Sequence, residues 1–222
     1  TAASMARIQE VLILIKQVLQ IPDTHKVAIV PGSATGAVQS MMWSLLGTRP
    51  ADILAWDVFG ARWQDDVRDE LKIPDTRLLG GTLAPLANLE DVRFHKADVL
   101  FTWNGSTAGA CVPHADWIPH ERVGLTLCDA TSSAFIMFMD WEKLDATAFS
   151  WQKGLGGEGG QGLLVLGPRA IEHLNSKYAP WPVPFMLNLR RDGRFNENLF
   201  EGMTINTPSM MALEDFRQAL LW

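Results

Sequence analysis

The sequence is poor in cysteine, has no excess of basic residues and contains no long apolar run. Only Cys111 and Cys128 occur among its 222 residues, and neither belongs to a CxxC pair. This pattern argues against a disulfide framework and a structural zinc site, and it favours a reducing compartment. Its apolar runs stop well short of the ~20 residues that a membrane-spanning helix needs. The sequence therefore predicts a cytoplasmic protein with no membrane segment and no metal site.

Acidic residues outnumber basic ones, since 25 Asp and Glu against 19 Lys and Arg give a net charge of −6. Because contact with phosphate backbones requires clustered Lys and Arg, this balance argues against a nucleic-acid partner. Internal repeats are absent, and 47% hydrophobic with 20% charged residues is typical of a globular chain. We expect one large domain over residues 1–222, which is long enough to form a core without covalent staples.

Short apolar segments alternate with helical patterns along the chain. Strands are predicted at 27–30, 53–56, 99–103, 124–128, 147–151 and 163–166. Helices are predicted at 4–20, 37–46, 61–71 and 212–221, and another begins at Pro168. This alternation indicates an α/β fold with a mostly parallel sheet and helices on both faces. Neither end of the chain carries helix-terminating signals, so we expect a fragment.

The loop at 31–37, PGSATGA, follows the first predicted strand and precedes a helix. In open parallel sheets, ligands bind beyond the carboxyl ends of the strands. Backbone amides near the glycines, the hydroxyls of Ser33 and Thr35, and the helix N-terminus suit an anion. The loop fits neither the Walker pattern nor the dinucleotide-binding fingerprint. Taken alone, a capped helix start is its simpler interpretation.

Three further residues follow predicted strands. Asp129 comes directly after an apolar strand, where the alternative is an N-cap of the next helix. Lys153 lies between a strand and a glycine-dense loop; it is either a solvated charge or a nucleophilic amine. Phe59 follows the second strand and offers an aromatic face. A lysine, a carboxylate, an aromatic ring and an anion site are together what pyridoxal phosphate requires of a protein.

Five motifs stand out in the sequence: PGSATGA at 31–37, TWNGSTAG at 102–109, DATSSAF at 129–135, FSWQKGLGGE at 149–158 and TINTPSM at 204–210. They resemble those of phosphoserine aminotransferase, a class V family of pyridoxal-phosphate enzymes. The similarity runs from about residue 4 to the end of the chain. It implies the aspartate-aminotransferase-like fold, known as fold type I. It also implies that the family's N-terminal segment and C-terminal small domain lie outside these 222 residues.

The resemblance assigns roles to single residues. It implies that Lys153 is the Schiff-base lysine and that Asp129 pairs with the pyridinium nitrogen. The other implied cofactor contacts are stacking by Phe59, a contact of Ser106 with the phenolic oxygen, and a phosphate site of Ser33, Ala34, Thr35 and Gln152. Ala34 departs from the family, where aspartate is common.

Residues Asn206 and Thr207 correspond to positions that reach the cofactor phosphate of a neighbouring subunit, which implies a homodimer. The implied reaction transfers an amino group from L-glutamate to 3-phosphohydroxypyruvate, giving O-phosphoserine and 2-oxoglutarate in serine biosynthesis. Two alternatives stay open. One is another class V aminotransferase, such as an alanine- or serine-glyoxylate enzyme, and the other is a truncated cofactor-binding domain without catalysis.

Overall fold

Seven strands form the central sheet of the computed structural model, which describes residues 2–222. They are β1 Lys26–Pro31, β2 Ala51–Ala55, β3 Arg77–Gly80, β4 Asp98–Thr102, β5 Thr126–Asp129, β6 Ala146–Phe149 and β7 Gln161–Leu166, in the spatial order β1-β7-β6-β5-β4-β2-β3. Strands β2 to β6 pair in parallel, and β7 is antiparallel to both β1 and β6. Six strands therefore run in one direction, which confirms the mostly parallel sheet.

Six α-helices cover or flank this sheet. They are α1 Ala2–Val18, α2 Ser33–Leu45, α3 Val58–Asp65, α4 Pro168–Ser176, α5 Glu197–Phe200 and α6 Met210–Leu221. A π-helical segment, Asp66–Leu71, continues α3, and short 3-10 turns lie at Leu89–Asp91, Trp141–Lys143 and Phe185–Leu187. A small hairpin joins β8 Arg190–Arg191 to β9 Arg194–Phe195. Among residues 2–222, no helix combines the length and apolar character needed to cross a membrane.

Separate apolar clusters lie on the two faces of the sheet. Helices α1 and α6 pack on one face, where Ile15 and Phe216 are buried, and α2 packs on the other, where Met41 and Met42 are buried. Strands β2, β4, β5 and β6 are buried along their whole length, as expected for a sheet covered on both sides. The prediction of helices on both faces is thus confirmed.

An aromatic stack anchors α6 beneath the segment that carries the predicted lysine. The rings of Trp151 and Phe216 lie 4.3 Å apart at their centroids, with 17° between their planes. Both side chains are almost completely buried. Trp151 immediately precedes Gln152 and Lys153, so this stack fixes the chain at the point where those two side chains leave the core.

The structure differs from the predicted elements at two helix starts and at one strand that was not predicted. Helix α2 begins at Ser33 rather than at residue 37, and α3 begins at Val58 rather than at residue 61. The edge strand β3 was not predicted, because its residues alternate between exposed and half-buried positions and include Arg77. A short edge strand of this kind lacks the continuous apolar run that marks the central strands.

Candidate active site

A cavity opens at the carboxyl edge of the sheet, between the start of α2, helix α3 and the segments that follow β4, β5 and β6. Its empty volume, including the part open to solvent, is about 540 Å³. The residues that line it are Ala34, Thr35, Asp57, Phe59, Trp63, Thr102, Asn104, Ser106, Asp129, Thr131, Ser132, Gln152 and Lys153. Seven of the residues predicted from the sequence therefore share one cavity, although they lie up to 119 positions apart in the chain.

The start of α2 presents backbone amides to this cavity. Gly32 occupies the N-cap position with a φ of 83°, and no side chain caps the helix. The interpretation of this loop as a helix start capped by Ser or Thr is therefore wrong. The amides of Gly32 and Ser33 donate to the carbonyl of Gly160 at 3.1 and 3.0 Å. The amides of the next helical residues, Ala34 and Thr35, have no intrahelical acceptor, so this end of the cavity suits an anion.

Close packing explains why the loop before and into α2 has a glycine at position 36. A Cβ atom on Gly36 would lie 2.1 Å from the carbonyl oxygen of Pro31, a distance at which the backbone must move. Beside the loop, the hydroxyl of Ser33 donates to Oε1 of Gln152 at 2.7 Å. This bond joins the predicted phosphate loop to the residue that precedes Lys153. Ser33 itself does not line the cavity, so its contribution to a bound anion stays a prediction.

Lys153 sits in a tight turn at the mouth of the cavity. Its carbonyl accepts from the amide of Gly156 at 3.1 Å, and the amide of Gly157 donates to Trp151 at the same distance. The side chain is exposed, and its Nζ lies 5.9 Å from the centroid of the Phe59 ring. The amine is therefore accessible, and it faces the ring of Phe59, a residue that is 40% exposed.

Asp129 is buried at the floor of the cavity with both of its carboxylate oxygens engaged. Oδ1 accepts from the backbone amide and the hydroxyl of Thr131, at 3.0 and 2.5 Å. Oδ2 accepts from the indole Nε1 of Trp63 at 2.9 Å. Burial raises the pKa of Asp129, and these hydrogen bonds partly offset that effect. Because turns rather than a helix follow at 130–137, the alternative of a helix N-cap is wrong.

Two residues that line the site, Asp57 and Trp63, lie outside every motif quoted from the sequence. Asp57 is the N-cap of α3, and its Oδ1 accepts from the amides of Phe59 and Gly60 at 3.1 and 2.9 Å. Trp63 lies one helical turn after Phe59, so both rings face the cavity from α3. The signal for Trp63 was its position four residues after Phe59, and the signal for Asp57 was an aspartate directly before a helical pattern. The hydrogen bond of Trp63 to Asp129 could not be predicted from local sequence pattern.

Ser106 lies at the rim of the cavity, and its hydroxyl is 2.7 Å from that of Ser132. Asn206 and Thr207 lie elsewhere, exposed in the segment before α6, and they do not line this cavity. Their predicted contact with a neighbouring subunit stays a prediction.

The residues present fit pyridoxal phosphate by their chemistry. The cavity combines an accessible amine, a buried carboxylate, an exposed aromatic ring and helix amides suited to an anion. It also contains buried polar oxygens that have no hydrogen-bond partner within residues 2–222, namely Asp57 Oδ2, Thr102 Oγ1 and Asn104 Oδ1. Buried polar atoms are normally satisfied, so these oxygens indicate a site built for a polar ligand. No cluster suited to a metal ion occurs among the described residues.

Comparison with known proteins shows which proteins this chain is related to. No protein-family model matches the sequence. The phosphoserine aminotransferases of Methanosarcina mazei and Methanosarcina barkeri are each 48% identical to it over 207 residues, or 93% of this chain. This chain is a homologue of the phosphoserine aminotransferases. It spans 56% of the length of those two relatives.

Solved structures agree with this relationship at the level of the fold. A subgroup IV aspartate aminotransferase from Thermus thermophilus matches the whole chain with a TM-score of 0.81 and 21% identity, over 62% of its own length. Phosphoserine aminotransferase from Bacillus circulans subsp. alkalophilus matches with a TM-score of 0.78 and 17% identity, over 58% of its length. The pyridoxal-phosphate-bound enzyme of Trichomonas vaginalis gives 0.80 and 16%, over 63% of its length. The predicted aspartate-aminotransferase-like fold is confirmed.

Proposed function

We propose that this chain forms the cofactor-binding part of a cytoplasmic, pyridoxal-phosphate-dependent phosphoserine aminotransferase. Its reaction transfers the amino group of L-glutamate to 3-phosphohydroxypyruvate and yields O-phosphoserine and 2-oxoglutarate, a step of serine biosynthesis. The observation that carries the proposal is the meeting of Lys153, Asp129 and the start of α2 in one cavity. The identity to proteins named phosphoserine aminotransferase supports the choice of substrate.

Pyridoxal phosphate, when bound, supplies an electron sink for the carbanion formed at the substrate Cα. Lys153 would hold the cofactor covalently through Nζ, and the same amine, once free, would take the proton from the substrate Cα. The exposure of Lys153 on the cavity rim leaves its amine free to move between these two tasks. The same amine therefore serves as nucleophile and as general base.

The remaining residues hold the cofactor in place. Asp129 would keep a proton on the ring nitrogen, since a buried carboxylate pairs most strongly with a positive charge. The amides at the start of α2, with Thr35 and Gln152, would bind the phosphate. The ring of Phe59 would pack against the cofactor and shield it from water.

The first test is the covalent attachment of the cofactor. We expect the protein incubated with pyridoxal phosphate to turn yellow, because a lysine-bound cofactor absorbs visible light. Borohydride reduction followed by peptide mapping should leave the pyridoxyl group on the peptide that contains Lys153. A colourless protein that takes up no cofactor contradicts the proposal. Parallel assays with 3-phosphohydroxypyruvate and glyoxylate as amino acceptors separate this enzyme from a glyoxylate aminotransferase.

A second prediction concerns a homodimer in which Asn206 and Thr207 complete the neighbouring site. Both side chains are exposed in this chain, which leaves them available to a second copy. Hydrogen bonds to charged groups contribute about 1.5–3 kcal/mol each, so the double variant Asn206→Ala/Thr207→Ala should weaken cofactor binding by a few kcal/mol. Because cofactor bound across the interface stabilises the assembled state, its dimer should also dissociate more readily when cofactor is limiting.

Titration of pyridoxal phosphate with parallel sedimentation measures both effects. Asn198→Ala is a matched control, since Asn198 is an exposed asparagine outside the predicted contact segment. Wild-type affinity in a stable dimer of the double variant would show that the 206–208 segment is only a turn.

A further inference from the structure

Asp57 is a second buried carboxylate in the cavity, and none of the assigned roles uses it. Only 1% of the residue is exposed. Its Oδ1 caps α3, whereas its Oδ2 is buried and has no hydrogen-bond partner among residues 2–222. An unsatisfied buried acceptor costs about 1–3 kcal/mol. A helix cap requires only one of the two oxygens, so capping does not account for Oδ2.

Other buried carboxylates at the opposite edge of the sheet are neutralised by arginine. Asp52 pairs with Arg77 and Arg93, and Asp98 pairs with Arg49. Asp145 likewise lies between two arginines. The hydrogen bonds of Asp57 and Asp129 within the described part of the chain come from backbone amides, a hydroxyl and an indole rather than from a cation. The cavity therefore contains two buried carboxylates without a bound cation, an arrangement that is typical of functional sites rather than of structural ones.

The charged environment of Asp129 is limited to a few groups. Asp57 approaches from the start of α3, Lys153 lies across the cavity after β6, and Cys128 is its buried neighbour on β5. Burial is the main factor that raises the pKa of Asp129, and the charge of Asp57 adds to it, whereas the bonds from Thr131 and Trp63 lower it. The charge of Asp57 thus acts on Asp129 through the low-dielectric floor of the cavity.

We propose that Asp57 is a positioning residue that acts through Asp129, and that its negative charge favours a proton on the ring nitrogen of the cofactor. The inference rests on the proposed function. A second negative charge beside Asp129 disfavours an unpaired carboxylate there and stabilises a positively charged partner. The pair Asp57 and Asp129 then balances the ring cation in a site that contains no arginine among its lining residues.

The test uses Asp57→Asn, which removes the charge but keeps an oxygen that caps α3, since asparagine is as good an N-cap as aspartate. Its matched control is Asp65→Asn, which removes the same charge from an exposed position on the same helix. Two titrations are made. Carbon-13 NMR follows the carboxyl carbon of Asp129 without cofactor, with Asp129→Asn assigning the signal. Absorbance then follows the bound cofactor against pH.

We expect Asp57→Asn to lower the Asp129 midpoint by at least about 0.5 pH unit, the size expected for one charge acting through a partly solvated site. The midpoint of the cofactor titration should shift in the same direction. The control variant Asp65→Asn should shift neither midpoint. An unchanged midpoint in either titration of Asp57→Asn would overturn the inference. A wild-type protein that takes up no pyridoxal phosphate contradicts the proposed function instead, and the cofactor-free titration then decides the coupling by itself.

Discussion

Replacing Lys153 by alanine is expected to abolish covalent attachment of pyridoxal phosphate and to lower kcat by about 10²- to 10⁴-fold, the usual contribution of a positioned general base. Lys153 is the amine that lines the cavity, and the segment before it is held by the stack of Trp151 on Phe216. The fold should persist, because the lysine side chain is exposed at the mouth of the cavity and is not part of the core. Borohydride labelling and single-turnover rates measure the two effects separately.

Lys153→Arg keeps the positive charge but cannot form the covalent link, so it should resemble the alanine variant. If the charge alone mattered, the arginine variant would retain most of the activity. Lys177→Ala is the control, since Lys177 is an exposed lysine at the end of α4, remote from the cavity. Cofactor still fixed by borohydride to Lys153→Ala would show that another amine carries it.

Much of the sheet could be predicted because its strands are buried on both faces. Strands β2, β4 and β5 are fully buried and contain short apolar runs, and the polar residues at their ends indicated the site. The direction of β7 could not be predicted in the same way. It follows β6 through the loop 150–160, which contains Lys153 and no helix, whereas parallel strands are usually joined by a crossover helix. The antiparallel pairing therefore goes with the absence of a crossover helix, which the apolar pattern of the strands does not report.

The candidate site was predictable where a residue's own neighbours in the sequence define it. Asp129 and Lys153 each follow a strand, so their place at the sheet edge was accessible from pattern. The bond between Trp63 and Asp129 joins residues 66 positions apart, and only the packing of α3 on the sheet creates it. The predicted start of α2 was wrong for another reason. The left-handed backbone of Gly32 begins that helix without any capping side chain, so the usual sequence signal is absent.

Replacing Asp129 by asparagine is expected to slow removal of the Cα proton by about 10²- to 10³-fold, the loss typical of one preorganised electrostatic partner. Asparagine keeps an oxygen for the amide of Thr131 but carries no charge. Its amide group also points a donor at the indole N–H of Trp63, where the carboxylate oxygen now accepts at 2.9 Å. The ring nitrogen should then lose its proton near neutral pH, whereas Lys153 still attaches the cofactor.

This separation makes Asp129→Asn informative, because cofactor binding and proton removal should respond differently. Borohydride labelling at Lys153 should stay close to the wild-type level, and the half-reaction with glutamate, followed by stopped-flow absorbance, should slow strongly. Asp192→Asn is the control, since its side chain is almost fully exposed in the hairpin between β8 and β9. If the half-reaction rate of Asp129→Asn hardly changes, Asp129 does not hold the ring proton.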